Sequence, residues 1–200
     1  DVPAGLRIPK VTGVRTTAFP VATMLACTWN TDILEAVGRA GALECKENNV
    51  SMWLTPALNI HRNPLCGRNF EYYSEDPFLT GAMAAAITRG VQQEEGYYVT
   101  VKHFACNNQE DNRMHVSSNV SQRALREIYL RGFRMAVRAG AKSVMTSYNK
   151  VNGVYTPNSY DLCTKVLRNE WGFDGLVMTD WFATGKKEGN HALAIATGND

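Results

Sequence analysis

Five times along this chain an apolar, β-rich run is followed by a polar loop and then by a helix-like pattern, and no other feature constrains the fold as strongly. The runs cover residues 21–27, 51–58, 98–104, 142–147 and 175–179. The helical stretches cover 32–47, 79–94, 121–138, 159–170 and 186–196. Ser121, followed by Arg123-Ala-Leu-Arg-Glu127, reads as a capped helix start. Within that stretch Leu125, Ile128, Tyr129, Phe133 and Met135 approximate helical spacing. Gly140 and Gly172 stand where helices are expected to stop.

A strand followed by a helix, repeated, implies parallel strands joined by right-handed crossovers. An open doubly wound sheet and a (β/α)8 barrel both satisfy that order. Polar residues cluster after the second, third, fourth and fifth runs. An open sheet gathers its site at one switch point, whereas a barrel converges all its strand-end loops on one face. The expected fold class is therefore α/β, an incomplete (β/α)8 TIM-like barrel. Five units are too few to close one, and Thr197-Gly-Asn-Asp200 reads as a turn poised to begin another strand. The chain is expected to be a piece of a larger barrel.

Its 200 residues suffice for one sizeable core. With 20% charged and 44% hydrophobic residues it reads as soluble and globular. A net charge of +2 suggests neither a nucleic-acid surface nor an acidic tail. No segment has the length of a transmembrane helix, so no membrane partner is expected. The start at Asp1, without methionine or leader, points to processing or truncation. Cys27, Cys45, Cys66, Cys106 and Cys163 are odd in number and form no C-x-x-C pair. That argues against a disulfide framework and a zinc site and favours a reducing, cytoplasmic home; a secreted protein with one bridge is the alternative.

The chemistry concentrates behind the runs. A long loop, His61 to Pro77, carries Gly67-Arg68, Glu71 and Glu75-Asp76, and loops of that length in compact domains are usually functional. Lys102-His103 closes the third run, and Asn107-Asn-Gln-Glu110 follows it. Ser147-Tyr148-Asn149 and then Asn152-Gly153 follow the fourth. Thr179-Asp180-Trp181 ends the fifth. A carboxylate beside an indole suits a sugar: the ring stacks on the C–H face of a pyranose, and the carboxylate attacks the anomeric carbon or bonds hydroxyls. Each residue also has a plainer reading. Asp180 alone would cap the next segment, Arg68 would clamp Glu71, Glu75 or Asp76, and His103 and Tyr148 would be core residues. Glu71, Glu75 and Asp76 read mainly as loop scaffolding leading into a helix after Pro77.

On these segments the chain resembles glycoside hydrolase family 3, the β-glucosidase type, from end to end. Its opening, Asp1-Val-Pro3-Ala-Gly5-Leu-Arg7, is similar to the family's D-G-P-x-G-x-R, with Val2 in place of the glycine. The resemblance implies that Asp180 is the catalytic nucleophile. It implies that Asp1, Arg68, Lys102 and His103 hold sugar hydroxyls, that Tyr148 stands beside the nucleophile, and that Trp181 forms a pocket wall. It implies no metal or organic cofactor, and as substrate an oligosaccharide or aryl β-glucoside. These roles are consistent with retaining hydrolysis, in which an ionised carboxylate attacks an oxocarbenium-like carbon, and nearby Lys102 and Arg68 would favour that ionised form. The resemblance implies that the acid/base is a glutamate of a second, α/β sandwich domain, expected to be absent from this chain. The related N-acetylglucosaminidases use an Asp/His pair; the matching loop here contains Asp111 and His115 without the D-S-H pattern. A β-xylosidase or other exo-β-glycosidase, and a non-catalytic sugar-binding fragment, are the competing expectations.

Overall fold

The computed structural model of the chain describes residues 4–8, 13–185 and 189–200. Its main sheet has the strands β1 (Met52–Trp53), β2 (Tyr98–Phe104), β4 (Ser143–Thr146) and β7 (Leu176–Thr179), all parallel and adjacent in chain order. A doubly wound sheet reverses its order at a switch point. This one never does, which is the winding of a (β/α)8 barrel over part of its circumference. Helix α2 (Thr31–Glu47) precedes β1, and α3 (Pro77–Gln92) and α5 (Arg131–Arg138) lie between successive strands. The core contains Val99, Val101, Phe104, Val144 and Val177 from the sheet and Leu34, Met83, Phe133 and Leu167 from the helical segments. Among the described residues no helix is long and apolar enough to cross a membrane. No two cysteines are bonded; Cys27 is exposed and the other four are buried.

The helices start where local chemistry directs. Asn30 caps α2 by accepting from the Asp32 and Ile33 amides, and Asp76 caps α3 by accepting from Leu79 N–H at 2.6 Å, with Pro77 in the first turn. The stretch expected at 121–138 begins with α4 (Gln122–Ala124), capped by Ser121, passes through a π-helical turn, Leu125–Tyr129, and continues as α5. The stretch expected at 159–170 is a π-helix over Asp161–Glu170. Gly140 and Gly172 sit at φ 99° and 69°, the left-handed conformation of helix stops. Helix α6 (His191–Ala196) matches the end of the stretch expected at 186–196, whose first three residues lie outside the described ones.

Two expected strands differ. Residues 21–27 hold a helix, α1 (Ala22–Ala26), not a strand. Its buried residues Ala22, Leu25 and Ala26 have i, i+3, i+4 spacing, and Ala, Met and Leu are helix formers. A seven-residue apolar run is too short for periodicity to decide between the two. The run 51–58 forms a ladder only at Met52–Trp53. Pro56 has no N–H to give, and pairing resumes as a bridge from Ala57 to Lys102, with Leu58 N–H donating to Lys102 O at 2.7 Å.

A second, smaller sheet covers one end. Strands β3 (Ser117–Ser118), β5 (Lys150–Val151) and β6 (Val154–Tyr155) come from the loops after β2 and β4. Asn152 and Gly153, at φ 50° and 86°, form a two-residue hairpin turn between β5 and β6. Asn152 also holds Val120 through both backbone groups, at 2.8 and 3.0 Å. That motif therefore ties two strand-end loops together.

Candidate active site

The C-terminal ends of β2, β4 and β7 lie in line, with Phe104 opposite Thr146 and Thr146 opposite Thr179. The residues just beyond them share one level of the barrel rim. Asp180 emerges there, its N–H bonded to Thr146 O at 3.2 Å. Its Oδ1 accepts from Trp181 N–H at 2.7 Å, while Oδ2 is buried with no hydrogen-bond partner among the described residues. Burial raises the Asp180 carboxyl above its ordinary value, and the Trp181 amide, Arg68, Lys102 and Tyr148 counter that only in part. The two cations thus favour ionisation, as expected, but desolvation outweighs them.

Lys102 and His103 are neighbours in sequence, and in a regular strand they would face opposite sides. The β2–β4 register slips between Val101 and Phe104, so β2 carries an irregularity at these two residues. Such bulges re-aim side chains. Both residues are almost fully buried, at 2% and 1% exposure. Burial depresses the Lys102 ammonium to about 8, assisted by Arg68 and opposed by Glu71 and Asp180.

His103 is neutral. Arg68 Nη2 donates to its Nε2 at 2.9 Å, so Nε2 is an acceptor and the proton is on Nδ1. Nδ1 lies 3.3 Å from the Tyr72 hydroxyl and 3.4 Å from Asn59 Oδ1. Burial, then the charges of Arg68, Lys102 and Arg113, hold the imidazole well below its ordinary value. Its Nε2 is 3.8 Å from Asp180 Oδ2, a contact of a neutral ring with the carboxylate and not an ion pair.

Arg68 reaches this group from the long loop. It precedes a 3₁₀ turn, Asn69–Glu71, in which residues three apart eclipse. That places the Glu71 carboxylate on Arg68 Nε. Burial works against the guanidinium charge, and the bond to Glu71 with the neighbouring acidic groups more than restores it. Helix α1 anchors the turn, because the Thr23 hydroxyl shares its one proton between Asn69 O and Tyr72 O, each at 2.7 Å. The clamp reading of Arg68 and its place beside the other candidate residues therefore both hold.

The Ser147-Tyr148-Asn149 motif divides its labour. Ser147 Oγ and Asn149 Nδ2 both donate to Ala105 O, at 3.0 and 3.1 Å. Tyr148 between them couples to Asp180; burial and that carboxylate raise its hydroxyl to about 12. Arg113 stacks over the Tyr148 ring at 4.5 Å and is held by Glu110 at 2.8 Å. Trp181 stands 61% exposed at the rim.

The structure therefore brings Asp180, Arg68, Lys102, His103 and Tyr148 together, with Trp181 beside them, while Asp1 lies outside the described residues. The sequence reading did not single out Asn59, Tyr72 or Arg113, and it took Glu71 mainly as loop scaffolding and as one of three candidate clamps for Arg68. Asn59 takes the place of a strand partner, receiving His103 N–H at 3.0 Å and donating to His103 O at 2.8 Å. A carboxylate three residues after Arg68 was the one local signal for any of these. Asp111 and His115 sit on the loop beyond Glu110. Among the described residues no three His, Cys, Asp or Glu side chains converge as a metal ion would need.

Comparison with known proteins follows the same lines. The family model of the glycosyl hydrolase family 3 N terminal domain matches residues 2–197. β-Glucosidase A of Butyrivibrio fibrisolvens is 53% identical over 201 residues, covering 100% of this chain and 24% of that protein. An exo-α-(1→6)-L-arabinopyranosidase of Bifidobacterium longum is 49% identical, over 85% of this chain and 22% of its own length. β-Glucosidase 3B of Thermotoga neapolitana, solved in complex with glucose, superposes with a TM-score of 0.93 at 54% identity, over 100% of this chain and 28% of that one. The chain spans about a quarter of the length of these relatives.

Proposed function

The chain belongs to glycosyl hydrolase family 3, of which it carries the N-terminal domain, and on that premise we propose that it supplies the nucleophile half of a retaining, exo-acting β-glucosidase. The observation that carries this reading is the buried Asp180 carboxylate at the tip of β7. It has one unsatisfied oxygen and shares its pocket with Arg68, Lys102 and Tyr148. In this reading Oδ2 attacks the anomeric carbon and forms a glycosyl-enzyme, which water then hydrolyses with retained configuration. The Trp181 amide holds Oδ1, so the free oxygen is the one aimed at the sugar. Lys102, Arg68 and His103, with Asp1, bind the hydroxyls, and Trp181 provides a stacking wall.

Retaining hydrolysis also needs a second carboxyl group, about 5–5.5 Å from the first. We place it in a second domain of the longer polypeptide. By itself this chain would then bind sugar with little or no turnover. The sugar is proposed as glucose because the β-glucosidases quoted above are the more similar relatives. The arabinopyranosidase relative supports a second reading, in which a related barrel serves a pyranose without the hydroxymethyl group.

The test is mass-spectrometric trapping on the longest polypeptide carrying this chain, using a 2-fluoro-β-glucoside with a dinitrophenolate leaving group. That group departs without protonation, so a site lacking its acid is still labelled. The expected adduct is on the peptide containing Asp180. A folded protein that gains no adduct would remove the glucosidase assignment.

A further inference from the structure

The reaction proposed above gives no role to Asn59, although its side chain is committed to one residue of the pocket. The run that precedes it pairs by its backbone with β2 as far as Lys102: Lys102 N–H donates to Pro56 O at 2.9 Å, and Leu58 N–H to Lys102 O at 2.7 Å. At His103 the Asn59 amide takes over, accepting from the N–H on Oδ1 at 3.0 Å and donating from Nδ2 to the carbonyl at 2.8 Å. Those partners fix which end of the amide is which, because an N–H only donates and a carbonyl only accepts. The same Oδ1 lies 3.4 Å from His103 Nδ1. Asn59 is buried. The chain beyond it is pinned in turn, since Asn108 Nδ2 donates to Ile60 O at 2.5 Å.

This grip bears on the ring as well as on the backbone. Two oxygens stand beside Nδ1, Asn59 Oδ1 and the Tyr72 hydroxyl. The hydroxyl can accept or donate, but the amide oxygen has no hydrogen to give, so it selects the tautomer with the proton on Nδ1. Nε2 then presents a lone pair, which accepts from Arg68 Nη2. Nε2 is also the ring atom 3.8 Å from Asp180 Oδ2. A proton on Nε2 would point a donor at that oxygen, favour the resting carboxylate and weaken it as a nucleophile. The charged and titratable groups around the ring are Arg68, Tyr72, Lys102, Arg113 and Asp180; burial and the three cations keep it neutral, as a single-proton tautomer requires.

We propose that Asn59 is a positioning residue for the reaction: by holding both the backbone and the Nδ1 proton of His103, it keeps the attacking oxygen of Asp180 free of a hydrogen-bond donor. The inference rests on the reading of Asp180 as nucleophile. Asn59 itself touches neither the sugar nor the reacting atoms and acts only through His103.

The experiment uses the longest polypeptide carrying this chain, as wild type, Asn59→Leu and Asn59→Ser. Asn59→Leu keeps the volume and removes every contact to His103; Asn59→Ser is a smaller change that leaves room for water. Isotope-labelled histidine nitrogens, observed by magnetic resonance and assigned to His103 by their absence from His103→Gln, report which nitrogen carries the proton. The expected result is Nδ1 in the wild type and a mixture of both tautomers in Asn59→Leu. The 2-fluoro-β-glucoside trap then gives the number of reacting sites and the rate at each one separately. Folded variants are expected to label Asp180 fully, at a rate per site lowered about ten- to a hundredfold. A wild-type His103 protonated on Nε2 overturns the proposal whether or not the variants fold. Variants whose labelled sites react at the wild-type rate also overturn it, make Asn59 a packing residue and leave the nucleophile reading standing. A wild type that takes no label at Asp180 brings down both.

Discussion

The tips of β2 and β7 lie at one level of the barrel and are built in opposite ways. Past β2 the chain stays inside: Ala105, Cys106 and Asn107 are buried, and Cys106 holds a left-handed φ of 64°. Around them His103, Asn59, Tyr72, Asn107, Glu110 and Arg113 are joined hydrogen bond to hydrogen bond. Past β7 the chain comes out: Trp181 is 61% and Phe182 87% exposed, and Phe182 has a φ of 60° with little around it. Past β2 the network closes mostly on itself, with Asn107 Oδ1 left without a partner among the described residues, so it frames the side chains of Lys102 and His103. The β7 side has an unsatisfied carboxylate oxygen and two displayed rings, which in the proposed reading a bound sugar covers.

This contrast breaks most sharply at Asp180. Asp180→Asn is expected to lower glycoside turnover by at least about 10³-fold, as loss of a nucleophile does, in the longest polypeptide that carries the chain. Urea unfolding of the same variant should show no loss of stability, because a buried, incompletely paired charge has been removed. A variant that unfolds easily would make Asp180 part of the frame.

Glu71 on the frame side should behave in the reverse manner. Glu71→Leu leaves the Arg68 guanidinium mostly buried with its main partner gone, at a cost of about 3 kcal/mol in urea unfolding. A change below about 1 kcal/mol would mean that water reaches Arg68 freely, as at a surface pair.

Lys102 links the two sides through pH. Its folded value of about 8 lies below its ordinary 10.5, so between these values the unfolded chain binds more protons than the folded one. Stability contributed by this group therefore rises with pH across that window, by up to the order of 3 kcal/mol. Comparing pH-dependent unfolding of wild type and Lys102→Met isolates the contribution; identical slopes would refute the shift. At the acid end His103 acts with the same sign. Its value is depressed below the ordinary 6.5, so stability falls as pH drops through that value. Asp180, raised above 3.8, opposes it, because its folded carboxyl takes up a proton before the unfolded one does.

The smallest expected effect is at Phe182. Ala183 N–H donates to Asp180 O at 3.0 Å, so Phe182 occupies the third position of a tight turn, where a left-handed φ favours glycine. Phe182→Gly should raise the melting temperature slightly, by an amount corresponding to about 1 kcal/mol. A lower melting temperature would show that the ring packs against another part of the longer polypeptide.

Much of this arrangement was legible in the chain. Strand β2 matches its expected bounds, 98–104, because six of its seven residues are buried and a continuous apolar run between turn signals is clear. The residues of the pocket were legible as polar clusters closing such runs. Residues 21–27 were not, because seven apolar residues satisfy both periods and only packing against the loop that carries Arg68 selects the helix. The hairpin at Asn152-Gly153 was signalled by its own dipeptide and read only as a motif. Arg113 went unassigned because its role depends on Tyr148, which other elements bring to it.

The amino-acid sequence by itself determined the repeated strand-and-helix order, the barrel class and which side chains crowd the rim, since these follow from burial patterns local to each segment. Only the tertiary structure decided the states of those side chains. The protonation of His103 depends on an arginine 35 residues away and an asparagine 44 residues away. The carboxyl of Asp180 is governed by how much water the folded rim excludes. Desolvation and charge coupling act through space at short range, and no spacing along the chain encodes them.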